Sequence, residues 1–227
     1  WYKVYIGGVS MASRLLWENI IPGCDPLDDG NPICFANGIF TGTPVPVGGK
    51  FGLASKSPLT GFVGDSLSGS WFSVALKRAG WDGVVLHNSC DSWTQLFIDD
   101  DRVQFNDATY LLGKGTFETE EAIRNKLGDD QIRSCTIGAC GENLVRYANV
   151  TNDGRQAGRT GHGMIWGKKK LKAVSVRGTH GVKVFDPKTL NQLAYDISKS
   201  AQGKDTENYR VYGTSTGLLN TNRLGVL

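Results

Sequence analysis

The stretch Ser68-Gly69-Ser70-Trp71-Phe72-Ser73-Val74-Ala75-Leu76-Lys77-Arg78-Ala79-Gly80-Trp81-Asp82-Gly83-Val84-Val85-Leu86 decides how this chain reads. Phe72, Ala75, Leu76 and Ala79 recur at helical spacing and make one apolar face. Lys77 and Arg78 fall in the last turn, where the helix dipole favours cations, and Gly80 suits the C-cap. The spacing predicts a helix over 68–80, then a buried strand at Gly83-Val84-Val85-Leu86. Phe51-Gly52-Leu53-Ala54 reads as a strand upstream, so 51–86 runs strand, glycine-bearing loop, helix, strand. Residues 146–176 repeat that order, with a strand over 145–150, a glycine-rich loop, a short helix and a strand over 171–176. The pattern fits an ancient duplication and equally fits two ordinary β-α-β-like units.

The flanking elements follow the same logic. Ser10 ahead of Met11, Ala12, Leu15, Leu16 and Ile20 predicts a serine-capped helix that ends at Pro22 and Gly23. Ile33-Cys34-Phe35-Ala36 and Cys135-Thr136-Ile137 read as strands. Leu96, Ile98, Val103 and Phe105 around Asp99-Asp100-Asp101 read as a hairpin with an acidic turn. Thr116 caps a helix to Leu127, with Glu118, Glu120 and Glu121 in its first turns. Asp186-Pro187 opens another helix with the stripe Leu190, Leu193, Ala194 and Ile197. The expected boundary lies at 178–186, between a strand-rich part and a helical part.

Composition sets limits. With 227 residues, 40% hydrophobic and 21% charged, the chain can bury a core. Its 30 glycines are about twice the usual share of ~7%, which points to tight turns or close backbone approach to a ligand. No apolar run reaches the ~18 residues of a membrane span. A net charge of +3 with both signs mixed gives no sign of a nucleic-acid or membrane partner. Five cysteines without a C-x-x-C pair argue against a disulfide framework or a zinc ribbon. They fit a reducing, cytoplasmic setting. The chain opens at Trp1 and closes on Gly225-Val226-Leu227, so it is expected to be a piece of a longer protein.

Two segments carry the composition of an anion site. Residues 153–163 hold four glycines and two arginines, Arg155 and Arg159, with little side chain to pack. Free backbone N–H groups and guanidinium groups suit phosphate; a tight turn with surface arginines reads equally well. The segment is neither a Walker A loop nor a Rossmann fingerprint. Gly48-Gly49-Lys50 with Ser66, Ser68 and Ser70 near a helix start is the second, and an ordinary serine-capped helix is its alternative. Asp99-Asp100-Asp101 lacks the spaced ligands of a calcium loop and reads as a solvated turn. Lys168-Lys169-Lys170 with Lys172 reads as a solvated strand start. His87, His162 and His180 form no metal spacing; only His162 sits in a candidate loop.

Several segments taken together resemble one family. They are Ala54-Ser55-Lys56-Ser57-Pro58-Leu59-Thr60-Gly61, residues 68–83, Ile137-Gly138-Ala139-Cys140-Gly141-Glu142-Asn143-Leu144-Val145-Arg146, residues 152–161, and Leu171-Lys172-Ala173-Val174. In order, from about Tyr5 to Gly178 and more weakly through Tyr212-Gly213-Thr214, they are similar to the N-terminal part of the aldehyde ferredoxin oxidoreductases. The resemblance implies an α+β fold: a sheet-rich platform with internal pseudo-two-fold duplication over 1–178, then a linker and the beginning of a helical domain over 179–227. It implies a tungsten-bis-pterin cofactor (molybdenum being the alternative metal), a bridging magnesium ion and a 4Fe-4S cluster. The cluster cysteines and catalytic residues would lie outside this chain. The implied activity is oxidation of aldehydes to carboxylic acids, with ferredoxin or an iron–sulfur subunit as electron partner and a homo-oligomer among the expected states. The alternatives are a benzoyl-CoA-type reductase subunit and a non-catalytic pterin- or phosphate-binding module. Carried over by position, Lys50 stands where the family has an arginine linking pterin and cluster. Gly69, Arg155 and Gly158 match positions against the pterin or its phosphate. Leu67 and Gln156 match the two residues whose backbone carbonyls hold magnesium.

Overall fold

A computed structural model describes residues 2–226. The chain divides into two units, one reaching Thr43 and resuming over Val47–Lys183, the other comprising Pro44–Pro46 and the residues from Val184 on. In the first unit, helices α1 (Tyr2–Tyr5) and α2 (Gly8–Asn19) precede β1 (Ile33–Asn37), β2 (Lys50–Lys56) and β3 (Val63–Gly69). Helix α3 (Trp71–Arg78) and β4 (Gly83–Leu86) follow. These strands form an antiparallel sheet in the order β3-β2-β1-β4. Next come β5 (Thr94–Asp99), β6 (Arg102–Asp107), α4 (Thr116–Leu127), β7 (Arg133–Thr136), α5 (Ala139–Glu142) and β8 (Val150–Asn152). The unit ends with β9 (Arg155–Ala157), α6 (His162–Lys168) and β10 (Leu171–Arg177).

The second sheet runs β6-β5-β10-β7-β8-β9. Without the β5–β6 hairpin its order is β9-β8-β7-β10, the topology of the first sheet: a leading helix, a three-strand meander, a helix, and a fourth strand returning beside the first. The duplication that the pattern of elements left open is thus present in the topology. The β5–β6 hairpin extends the second sheet by pairing β5 parallel to β10.

Both sheets share one core. Phe35, Phe51, Phe72 and Trp166 are fully buried. Phe51 and Phe72 rings meet edge-on at 5.3 Å, and Phe35 meets Trp166 at 5.7 Å. Leu96, Ile98, Cys135, Val174 and Val176 of the second sheet belong to the same cluster as Ile33 and Leu53 of the first. The second unit is helical: α7 (Pro187–Ser200), α8 (Glu207–Tyr212) and α9 (Leu218–Arg223). Asp186 caps α7 by accepting from Thr189 N–H at 3.0 Å.

Several elements differ from expectation. Helix α2 starts at Gly8, capped by Gly7, and Ser10 lies exposed inside it. Helix α4 is capped by Gly115, whose N–H donates to Glu118 at 2.9 Å, not by Thr116. Ser68 and Gly69 belong to β3, so α3 starts at Trp71 with Ser70 as its N-cap. Trp81 N–H reaches Leu76 O and Gly80 N–H reaches Lys77 O, which closes α3 around Gly80 at φ 95°. Of the strand expected over 145–150 only Val150 is extended into β8, and β4 is half-buried. The acidic turn is clamped: Asp99 pairs bidentately with Arg177, and Asp100 accepts from the Thr179 N–H and hydroxyl. Two lysines of the basic run are buried. Lys169 donates to Asn88 O, and Lys172, fully buried, donates to Ile137 O and pairs with Glu142.

Candidate functional site

Lys50 opens β2 directly opposite Gly69, the last residue of β3. Its backbone is tied on both sides. Its N–H donates to Gly48 O at 2.9 Å, and its carbonyl accepts from Gly38 N–H at 2.9 Å and the buried Thr41 hydroxyl at 3.0 Å. A Cβ on Gly69 would sit 3.3 Å from Lys50 Cγ, so glycine leaves the lysine stem room to cross the strand end. Val47 holds φ 62° in the approach to this corner, a left-handed conformation that costs a β-branched residue about 1–3 kcal/mol.

Val47, Gly49, Lys50, Gly69 and Arg155 line a cleft of about 350 Å³. Arg155 comes from the second repeat, as the exposed first residue of β9. Neither the Lys50 ammonium nor the Arg155 guanidinium has an acidic or hydrogen-bonding partner among the described residues. Two uncompensated cations beside bare glycine backbone suit a phosphate-bearing anion. At contact near a protein surface each such pair gains about 1–4 kcal/mol of Coulomb energy before desolvation.

Leu67, Gln156 and Gly158 do not line that cleft. Leu67 sits mid-strand in β3 with a half-exposed side chain. Gln156 is exposed on β9, its Oε1 accepting from Asn149 at 2.8 Å. A Cβ on Gly158 would meet only Gln156 and Asn149, no closer than 3.7 Å, so the face beside it is open. The strands bearing these residues nevertheless lie together. Arg159 N–H donates to Ser66 Oγ at 3.3 Å, and Asn152 Nδ2 donates to Ser68 Oγ at 3.1 Å. Both neighbours of Leu67 therefore touch the segment that carries Gln156 and Gly158.

The serines form no open anion site. Ser66 and Ser68 are buried in these cross-repeat bonds, and Ser70 caps its own helix by accepting from Phe72 N–H at 3.1 Å. His162 is likewise a clasp. It is 1% exposed, with Nδ1 at 2.8 Å from Ser55 Oγ and Nε2 at 3.1 Å from Thr160 Oγ1. Burial pushes its pKa down to about 4, so the imidazole is neutral near pH 7. Among the described residues no three His, Cys, Asp or Glu side chains gather into a metal-binding group. Val47, Thr41 and Asn152 are the residues that sequence reasoning missed. The Gly48-Gly49 pair pointed towards Val47, whereas the contact of Asn152 with Ser68 spans 84 positions and has no local signature.

The family description "Aldehyde ferredoxin oxidoreductase, N-terminal domain" matches residues 1–178. A tungsten-containing aldehyde ferredoxin oxidoreductase of Thermococcus kodakarensis is 40% identical over 185 residues, covering 81% of this chain and 31% of that protein. An aliphatic sulfonate oxidoreductase, WOR-like subunit, of Pyrococcus furiosus is 30% identical over 95% of this chain and 36% of its own length. Among solved structures, the active-site complex BamBC of benzoyl coenzyme A reductase, with 1,5-dienoyl-CoA, superposes with a TM-score of 0.86 at 32% identity, over 88% of this chain and 31% of that one. The chain thus spans about a third of the length of these proteins. No helix among the described residues is long and apolar enough to cross a membrane. With the matched region running through both repeats and the cleft between Lys50 and Arg155, the chain belongs to the aldehyde ferredoxin oxidoreductase family and carries its N-terminal domain.

Proposed function

We propose that residues 1–178 are the cofactor platform of a tungsten-bis-pterin oxidoreductase that converts aldehydes to carboxylic acids, and that 179–227 begin a helical second domain. The observation that carries this reading is the cleft: two unpaired cations, one from each repeat, meeting over glycine backbone. The donor set fits a pterin phosphate, since Lys50 offers a mobile point charge and Arg155 a planar fork. Leu67 and Gln156, on adjoining strands, would give backbone carbonyls to a magnesium ion, a hard cation that accepts oxygen ligands whatever the side chain. Gly69 and Gly158 would let the pterin lie close to the chain.

Such a cofactor, when bound, supplies the two-electron chemistry of RCHO + H2O → RCOOH + 2 H+ + 2 e−. The part of this chain is to bind, orient and shield it. A 4Fe-4S cluster ligated from elsewhere in the protein, and ferredoxin or an iron–sulfur subunit, would take the electrons in a cytoplasmic setting. The likeness to the benzoyl-CoA reductase subunit favours a second reading, in which the same platform serves a ring reductase.

Metal analysis and activity assays of the full-length protein from anaerobic cells test these readings. Tungsten with iron and about one magnesium per pterin pair, and turnover of aldehydes but not of aryl-CoA thioesters, is the expected result. Lys50→Ala and Arg155→Ala should each lower tungsten content severalfold. Full activity without tungsten or molybdenum would refute the assignment.

A further inference from the structure

The β8–β9 hairpin, which carries Arg155 and Gln156, turns over two carboxyl groups, one buried and one partly buried. Glu120 of α4 is 4% exposed, and its Oε1 accepts from the Asp153 N–H at 3.1 Å. Asp153 occupies the turn at φ 45°, and its Oδ2 is buried with no hydrogen-bond partner. Three further groups face the pair. Arg124 of α4 lies 3.9 Å from Glu120 Oε2, and Arg133 of β7 lies 3.9 Å from Asp153 Oδ1. The buried Cys135 thiol of β7 completes the set. At 3.9 Å neither guanidinium makes a hydrogen bond, so each supplies charge without satisfying an oxygen. Two ionised carboxylates in this setting repel, and one keeps an orphaned acceptor. A proton on Glu120 removes the repulsion and turns a group that only accepts into one that can donate.

We propose that Glu120 and Asp153 share one proton, and that this sharing sets how firmly the β8–β9 hairpin is held. Glu120 is then a positioning residue. Its bearing on a cofactor rests on the platform reading above; the response of the hairpin to pH does not. Burial, and after it the Asp153 charge, push Glu120 up to about 7 from 4.5. The native state binds more protons than the unfolded one between those values, so the slope of stability with pH is negative there. The stabilisation is complete below about 4.5 and is lost as pH rises through about 7.

Hydrogen exchange of the full-length protein, read by mass spectrometry on a peptide covering 148–158 and corrected for intrinsic rates, tests this. Protection in the wild type should fall about fivefold or more between about pH 5.5 and about pH 8, with a peptide over β1 unchanged. Glu120→Gln keeps a donor for Asp153 and cannot ionise, so it should hold the low-pH protection throughout. Asp153→Asn, at home at φ 45°, should flatten the profile too. The infrared band of a protonated carboxyl group should be present in the wild type near pH 5.5 and weaker in Glu120→Gln. A flat wild-type profile, or a Glu120→Gln profile that tracks the wild type, overturns the proposal. Tungsten content of the same samples separates the two readings. A hairpin that responds to pH with unchanged metal retention supports the shared proton and removes its link to the cofactor. A hairpin that does not respond removes the shared proton whatever the metal content.

Discussion

Lys50 and Arg155 enter one cleft from opposite repeats, and each meets an anion differently. An ammonium on a four-carbon stem adapts, whereas a guanidinium fixes a plane. Lys50→Arg should therefore retain tungsten at wild-type level or above; a loss equal to that of Lys50→Ala would show that the corner has no room for the fork. Gly161 supports the loop beyond the cleft at φ 78°, with any Cβ placed 2.1 Å from Arg146 O. Gly161→Ala adds left-handed strain to a backbone clash and should cost at least ~3 kcal/mol, readable as a lower denaturation midpoint. Lys50 was legible because a glycine pair beside a cation is a local pattern, whereas Val47 in the same cleft was not. Nor was the proton on Glu120: the helix dipole accounts for acids in the opening turns of α4, and Asp153 comes from 33 residues away. Lys172 misled for the same reason, as its carbonyl partner Ile137 lies 35 positions upstream.

Among the elements, β3 shows why a strand can hide. Its inward positions are Gly64, Ser66 and Ser68, while Val63 and Leu67 point outward. Small polar residues face in because their hydroxyls meet the other repeat, through Arg159 and Asn152. A pattern search for buried apolar alternation therefore sees a loop. Helix α3 was legible by its stripe, but its start was not, since Ser68 and Ser70 are both competent caps and only strand pairing excludes the first. Ser70→Ala should cost about 1 kcal/mol through the lost bond to Phe72 N–H, whereas Ser68→Ala should instead loosen the contact with Asn152. Exchange rates of the α3 amides distinguish the two: the Ser70 variant raises them and the Ser68 variant leaves them near wild type.

At the scale of the molecule, two copies of one topology close around a single aromatic cluster. Phe72→Ala should cost about 3–5 kcal/mol and raise exchange in β2 and β10 together; a change confined to the first sheet would mean two separable cores. The order of elements suggested a repeat without deciding it, and it gave nothing of the shared core, because periodicity marks a buried face without saying what covers it. That arrangement also matters to a ribosome. The first sheet is complete once Leu86 has been made, yet α3 packs on β7 and β10, and β10 ends at Arg177. At about 5–20 residues per second, the Phe72 face waits on the order of 5–20 s for its cover. Nascent chains stalled soon after β4 has left the exit tunnel should be cut readily by protease and held by chaperones. Chains stalled once β10 is clear should resist both. Equal resistance at the two lengths would mean that the first half folds unaided.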